Sequence, residues 1–147
     1  MFTKEEALQI KREFWITFAN EYPRKWLLHN TKIKDVSLKF YVDNKIALVL
    51  LDIEPKDDEK RKIYFEKMES LKTILLEEYL PEAIFEKHYF LDTGKEISRV
   101  WGQLNGISIN NKKTWPTIFE FFDVHMSAFE LFFYEYEDYL RDLEINT

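Results

Sequence analysis

Val36-Ser37-Leu38-Lys39-Phe40-Tyr41-Val42-Asp43-Asn44-Lys45-Ile46-Ala47-Leu48-Val49-Leu50-Leu51-Asp52-Ile53 is the stretch on which the fold turns. Val36, Leu38, Phe40 and Val42 alternate with Ser37, Lys39 and Tyr41, and that period of two places apolar side chains on one face of a strand. Asp43-Asn44 is a turn signal, after which Lys45 to Ile53 is almost continuously apolar. The pair predicts a hairpin whose second strand is central and covered on both faces.

On the N-terminal side, Thr3 and Glu6 have the spacing of a capping box, so a helix is expected from there to about Glu21. Ala7, Ile10, Phe14 and Phe18 form its stripe, widened by Leu8 and Trp15. Pro23 disfavours helical geometry at Tyr22. The segment that follows, Arg24-Lys25-Trp26-Leu27-Leu28-His29-Asn30-Thr31-Lys32, is a basic and aromatic connector.

On the C-terminal side, Pro55 ends the second strand and Asp57 or Asp58 can cap another helix. Phe65, Met68, Leu71 or Lys72, Leu75 and Tyr79 mark its stripe, which stops before Pro81. A second hairpin runs from about Ile84 to Leu91 and from Glu96 to Leu104, joined at Asp92-Thr93-Gly94-Lys95. Asn105-Gly106 is a further turn signal, so Ile107-Ser108-Ile109 is expected to add a short fifth strand. Thr114 can cap a last helix, with Pro116 in its first turn and Ile118, Phe122, His125, Phe129, Phe132 or Phe133, Tyr136, Leu140 and Leu143 on its stripe.

These elements predict an α+β fold, a two-layer sandwich of four or five antiparallel strands from two hairpins covered by three helices. The order is α-ββ-α-ββ(β)-α, in one domain spanning residues 1–147.

The 147 residues include no cysteine, 21 basic and 27 acidic side chains, and a formal net charge of −6. Thiol catalysis and Cys-ligated zinc are thereby excluded, and a whole-surface DNA binder is not expected, because such affinity rests on neutralising phosphates. No apolar run reaches the ~20 residues of a membrane span and the first residues lack a signal-peptide core, so a cytoplasmic protein is expected. Phosphate-binding glycine motifs, nucleophile elbows and helical zinc pairs are absent. The three histidines, His29, His88 and His125, lack metal-ligand spacing, and His125 reads as a core or boundary residue. No catalytic residue and no cofactor are assigned.

Three constellations remain. Glu54-Pro55-Lys56 at a strand end has the form of a metal-nuclease signature, and antiparallel pairing brings Asp35 opposite the Asp52 region. Asp35, Asp52 and Glu54 with Lys56 are therefore a weak divalent-metal candidate. In the second hairpin, a two-residue Thr93-Gly94 turn would pair Phe90 with Ile97, His88 with Arg99 and Glu86 with Trp101 on one face. Glu86, His88, Arg99 and Trp101 could then hold an anionic or planar ligand, the bland reading being a Glu86–Arg99 ion pair beside a tryptophan. The third is the connector: Arg24, Lys25 and Trp26, with His29, Lys32 and Lys34, suit a single strand of nucleic acid or a phosphorylated partner. Against nucleic acid stand Glu130, Glu135, Glu137, Asp138, Asp142 and Glu144 towards the C-terminus, an acidic surface that repels phosphate. A homodimer through the aromatic last helix is also expected as an alternative, because Phe132, Phe133, Tyr134 and Tyr136 cannot all face one stripe.

Phe14-Trp15, Trp26, Thr31, Ile33-Lys34-Asp35-Val36 and Tyr64-Phe65-Glu66 form one set of familiar stretches. Gly94-Lys95, Ile97-Ser98-Arg99-Val100, Leu104, Gly106-Ile107-Ser108, Asn111 and Trp115-Pro116 form another. Together they resemble the bacterial family labelled domain of unknown function 4268, over nearly the whole chain. The resemblance implies a domain found alone or behind restriction-nuclease-like domains, and hence DNA-related or defence work. The connector departs from the family pattern: Leu28 stands for a polar residue, Asn30 for a basic one and Lys32 for a glycine. Pro55-Lys56-Asp57 replaces a histidine-lysine-aspartate run, which weakens the nuclease signature. The expected function is a non-catalytic binding or interaction module, accessory to nucleic-acid metabolism or defence. A divalent-metal nuclease-like hydrolase and a homodimeric interaction protein are the alternatives.

Overall fold

A computed structural model describes residues 2–142. Within them lie α1 (Lys4–Glu21), β1 (Val36–Val42), β2 (Ile46–Ile53), α2 (Asp58–Ser70), α3 (Lys72–Glu78), β3 (Ile84–Phe90), β4 (Glu96–Asn105) and α4 (Trp115–Arg141), the last preceded by a 3₁₀ turn over Lys112–Thr114. The mixed α+β architecture is the expected one: four antiparallel strands form one sheet in the order β1-β2-β4-β3.

The capping box forms as read, with the Glu6 N–H donating to the Thr3 hydroxyl and the Thr3 N–H to the Glu6 carboxylate. Phe14 and Phe18 are buried, but Ala7 and Leu8 are exposed, so α1 meets the core only from Ile10 onward. Asp57 caps α2 by accepting from the Glu59 N–H. The expected second helix is two segments. Ser70 Oγ donates to the Lys67 carbonyl at 2.6 Å, competing with the helical ladder just where Leu71 leaves helical geometry.

The inner sheet face, with Val36, Leu38, Val49, Leu51 and Val100, joins rings from α1 and α4 in one continuous core. Trp15 stacks on Phe122 at 5.8 Å, and Phe40 meets Phe122 at 4.7 Å. Both Phe132 and Phe133 are buried within the chain, whereas Tyr134 is 66% exposed. The crowding of aromatic residues on α4 is thus largely absorbed by its own core. Leu143 and Glu144 lie outside the described residues.

β2 is central and buried on both faces, as expected. Its outer residues Leu48, Leu50 and Asp52 are under 9% exposed, and Asp52 is covered by Lys39 of β1 and Arg99 of β4. Ile107-Ser108-Ile109 is not a strand. Gly106, at φ 75°, turns the chain away, and Ile109 instead donates its N–H to Asp43 O in the first hairpin turn. The Thr114 hydroxyl does not cap α4 either. It donates to Ser108 O at 2.8 Å and accepts from the Ser108 N–H, while Trp115 Nε1 donates to Ile109 O at 2.8 Å. The loop is pinned from the start of α4.

A candidate binding groove along the connector

α1 ends at Glu21 with Tyr22 as its cap, and residues 23–35 cross without regular structure to β1. Three non-glycine residues in and just before the return take positive φ: Leu28 at 45°, Lys32 at 64° and Asp35 at 63°. Such angles cost a side chain of order 1–3 kcal/mol and persist only where surrounding contacts impose them. Those contacts are visible. Thr31, 1% exposed, donates its hydroxyl to Val36 O at 2.6 Å, and the Leu38 N–H donates to Leu28 O.

The other end of the connector is held by Glu130 of α4. Its buried carboxylate accepts from the Leu27 N–H at 2.7 Å and pairs with the Arg24 guanidinium, which also donates to Ser127 Oγ. Arg24 in turn lies 3.9 Å above the centroid of Trp26, whose ring runs parallel to Phe18 at 6.0 Å. One acidic residue counted at first as repelling phosphate is therefore an internal anchor. Beside this clamp opens a groove of about 580 Å³. Trp15, Phe18, Tyr22 and Phe40 supply its apolar walls, Ala19 an exposed floor position, and Lys25 a rim charge with no ion-pair partner among the described residues. The expected trio Arg24, Lys25 and Trp26 is brought together here. The walls from α1 and β1 were not assigned from sequence, since their aromatic residues read as ordinary core.

The second hairpin does not build the expected constellation. Its turn is a three-residue loop, with the Leu91 N–H donating to Lys95 O and the Gly94 N–H to Leu91 O, and Gly94 takes φ 89°. The register shifts by one residue from the expected pairing, to Phe90 with Glu96 and Tyr89 with Ile97, and a bulge between Glu86 and Tyr89 brings Glu86 opposite Arg99. With Tyr89 opposite Ile97, His88 falls on the face away from Arg99, and its Nδ1 meets Glu96 at 2.7 Å. Arg99 forks onto Asp52 with bonds of 2.7 and 3.0 Å and lies over Tyr89. Its carboxylate partner is Asp52 rather than Glu86. Trp101 donates to Gln103. His88, Arg99 and Trp101 are each taken up by other side chains, and the four do not converge on a shared ligand.

Two of the three carboxylates of the metal candidate, Asp52 and Glu54, are engaged by cations. Asp52, fully buried, takes Arg99 and Lys39; Glu54 takes Lys39 at 3.0 Å and Lys95 at 3.8 Å. Burial disfavours the charged forms of Lys39 and Arg99, but contacts with Glu54 and Asp52 outweigh it and hold both above their ordinary pKa values. Asp35 meets Glu54 through its backbone, the Glu54 N–H donating to Asp35 O at 2.7 Å. Among the described residues no three His, Asp or Glu side chains gather to hold a metal ion, and no helix is long and apolar enough to cross a membrane.

The family model described as Domain of unknown function (DUF4268) matches residues 10–137. No curated protein and no solved structure matches the chain.

Proposed function

Since the chain belongs to the family Domain of unknown function (DUF4268), a name that carries no activity, we propose from its own geometry that it is a non-catalytic binding module whose groove takes a segment of a protein partner. The observation that carries this reading is the groove itself: aromatic walls from α1 and β1 open beside the Arg24–Glu130 clamp, with Lys25, unpaired among the described residues, on the rim. An apolar anchor flanked by an acidic group fits such a lining, as aromatic pockets with few charged positions commonly accept side-chain anchors. A nucleobase fits it less well. Trp26 is already engaged by Arg24 and Phe18, and Arg24 by Glu130, so neither offers the free stacking face and free cation that strand binding uses. An accessory place in nucleic-acid metabolism or defence enters through the protein partner.

Ala19 is exposed on the groove, so Ala19→Arg obstructs it without disturbing the core. A photocrosslinking residue at Lys25 in the producing cell should capture one discrete protein, and capture should fall at least tenfold in the Ala19→Arg background with the melting midpoint unchanged. Equal capture in both backgrounds, or adducts to nucleic acid, would refute the reading.

A further inference from the structure

At the other end of the connector lies a second concavity, of about 460 Å³, within the range of small-ligand sites. Its lining is polar and its cations come from four separate segments: Lys34 from the connector, Lys56 after β2, Lys60 in the first turn of α2 and Lys95 from the second hairpin turn. Only Lys95 has an ion-pair partner, Glu54, which Lys39 shares. Lys34, Lys56 and Lys60 have none among the described residues, in a chain where acidic side chains outnumber basic ones by 27 to 21. Like charges gathered on one concave surface repel one another, and the arrangement is relieved by an anion seated between them.

Three carboxylates share the cavity, and each limits what can bind. Glu54 is held by its two lysines, and Asp57 accepts from the Glu59 N–H at the start of α2. Asp35 has no cation partner among the described residues and stands on the wall with Tyr64. A long polyanion laid across this surface would meet that carboxylate, whereas a compact group can sit among the three lysines. Burial first, and the Asp35 charge second, raise the pKa of Tyr64, so its phenol is protonated and can donate. Lysines bind phosphate as mobile point charges, and flexible stems from three segments can close on one tetrahedral anion.

We infer that this cavity binds a compact phosphoryl group, as in pyrophosphate or the phosphate end of a small metabolite, through Lys34, Lys56 and Lys60. The site is separate from the connector groove and does not depend on the function proposed for it. The test is calorimetric titration of the full chain with sodium pyrophosphate at low ionic strength, without divalent metal. Saturable binding at one site is expected, weakened at least tenfold by Lys56→Ala with Lys60→Ala and separately by Lys34→Ala, and unchanged by Ala19→Arg. All three lysines are exposed, so the variants should retain the parent's circular dichroism and melting midpoint. Absence of saturable heat at millimolar pyrophosphate overturns the inference, as does binding indifferent to the lysine variants. A single-stranded oligonucleotide that binds more tightly than pyrophosphate through the same lysines also overturns it, in favour of an extended phosphodiester site.

Discussion

Lys32 holds a backbone angle that glycine adopts freely and other residues adopt at a cost, with φ at 64° and its side chain exposed. The left-handed conformation costs an L-residue about 1–2 kcal/mol, and the extra freedom of glycine in the unfolded chain returns roughly half of that. Lys32→Gly should therefore stabilise the fold by about 0.5–1 kcal/mol, read as a higher urea midpoint at unchanged slope; an equal or lower midpoint would show that the lysine is held by something other than backbone geometry. Composition and periodicity around position 32 gave no sign of this strain. The one hint was the resemblance, whose pattern has glycine there. Arg24 and Trp26 were legible as candidates because charge and aromaticity stand out in a connector. Their partners Glu130 and Phe18 were not, being ordinary in type and outside the connector.

Strand pairing explains why the residues of the second hairpin ended with partners other than those expected. Asp92-Thr93-Gly94-Lys95 announces a hairpin, but a two-residue and a three-residue loop share those letters, and one residue of difference moves every cross-strand neighbour. The bulge before Tyr89 adds a second displacement. Across the other edge of β4, where Arg99 stands opposite Asp52, Arg99 joins β4 to β2 in a contact almost closed to solvent. Removing one partner of a buried ion pair leaves the other uncompensated, at a cost of about 3–5 kcal/mol. Lys39 softens this by remaining on Asp52, so Arg99→Ala should lose roughly 3 kcal/mol. The double substitution Asp52→Leu with Arg99→Met should recover most of that loss. Chemical denaturation of the single and double variants measures the difference, and additive losses would show that the pair is not coupled. Arg99→Ala is thus a stability variant and an unsuitable probe of partner binding.

For the whole molecule, the contact of α4 with the sheet gives stability a pH dependence. His125 sits over Gly102, where an added Cβ would lie 3.1 Å from the ring, and Nδ1 approaches Phe121 O at 3.1 Å. Burial lowers the His125 pKa from its ordinary 6.5, with the Phe121 carbonyl and the Glu82 charge acting weakly the other way. The unfolded chain then binds the proton more readily than the folded one. The contribution is complete above about pH 6.5 and is lost as pH falls towards the lowered folded value. Urea unfolding between pH 8 and pH 5 should show this decline, and His125→Phe, which preserves the ring, should flatten it; identical profiles would remove His125 as the cause.

The sequence by itself determined the elements and their layering. Alternation in Val36–Val42, the capping box at Thr3 and Glu6, and the aromatic stripe of α4 are local signals, set by backbone geometry and by which side chains avoid water. What only the tertiary structure decided was the company each polar group keeps. Loop length set the register of the second hairpin, folding placed Glu130 on the connector and Asp52 on Arg99, and four distant segments brought their lysines to one cavity. Charges act through space, and their neighbours are fixed only after the chain has closed, so the sites were dispersed in the sequence while the fold was written along it.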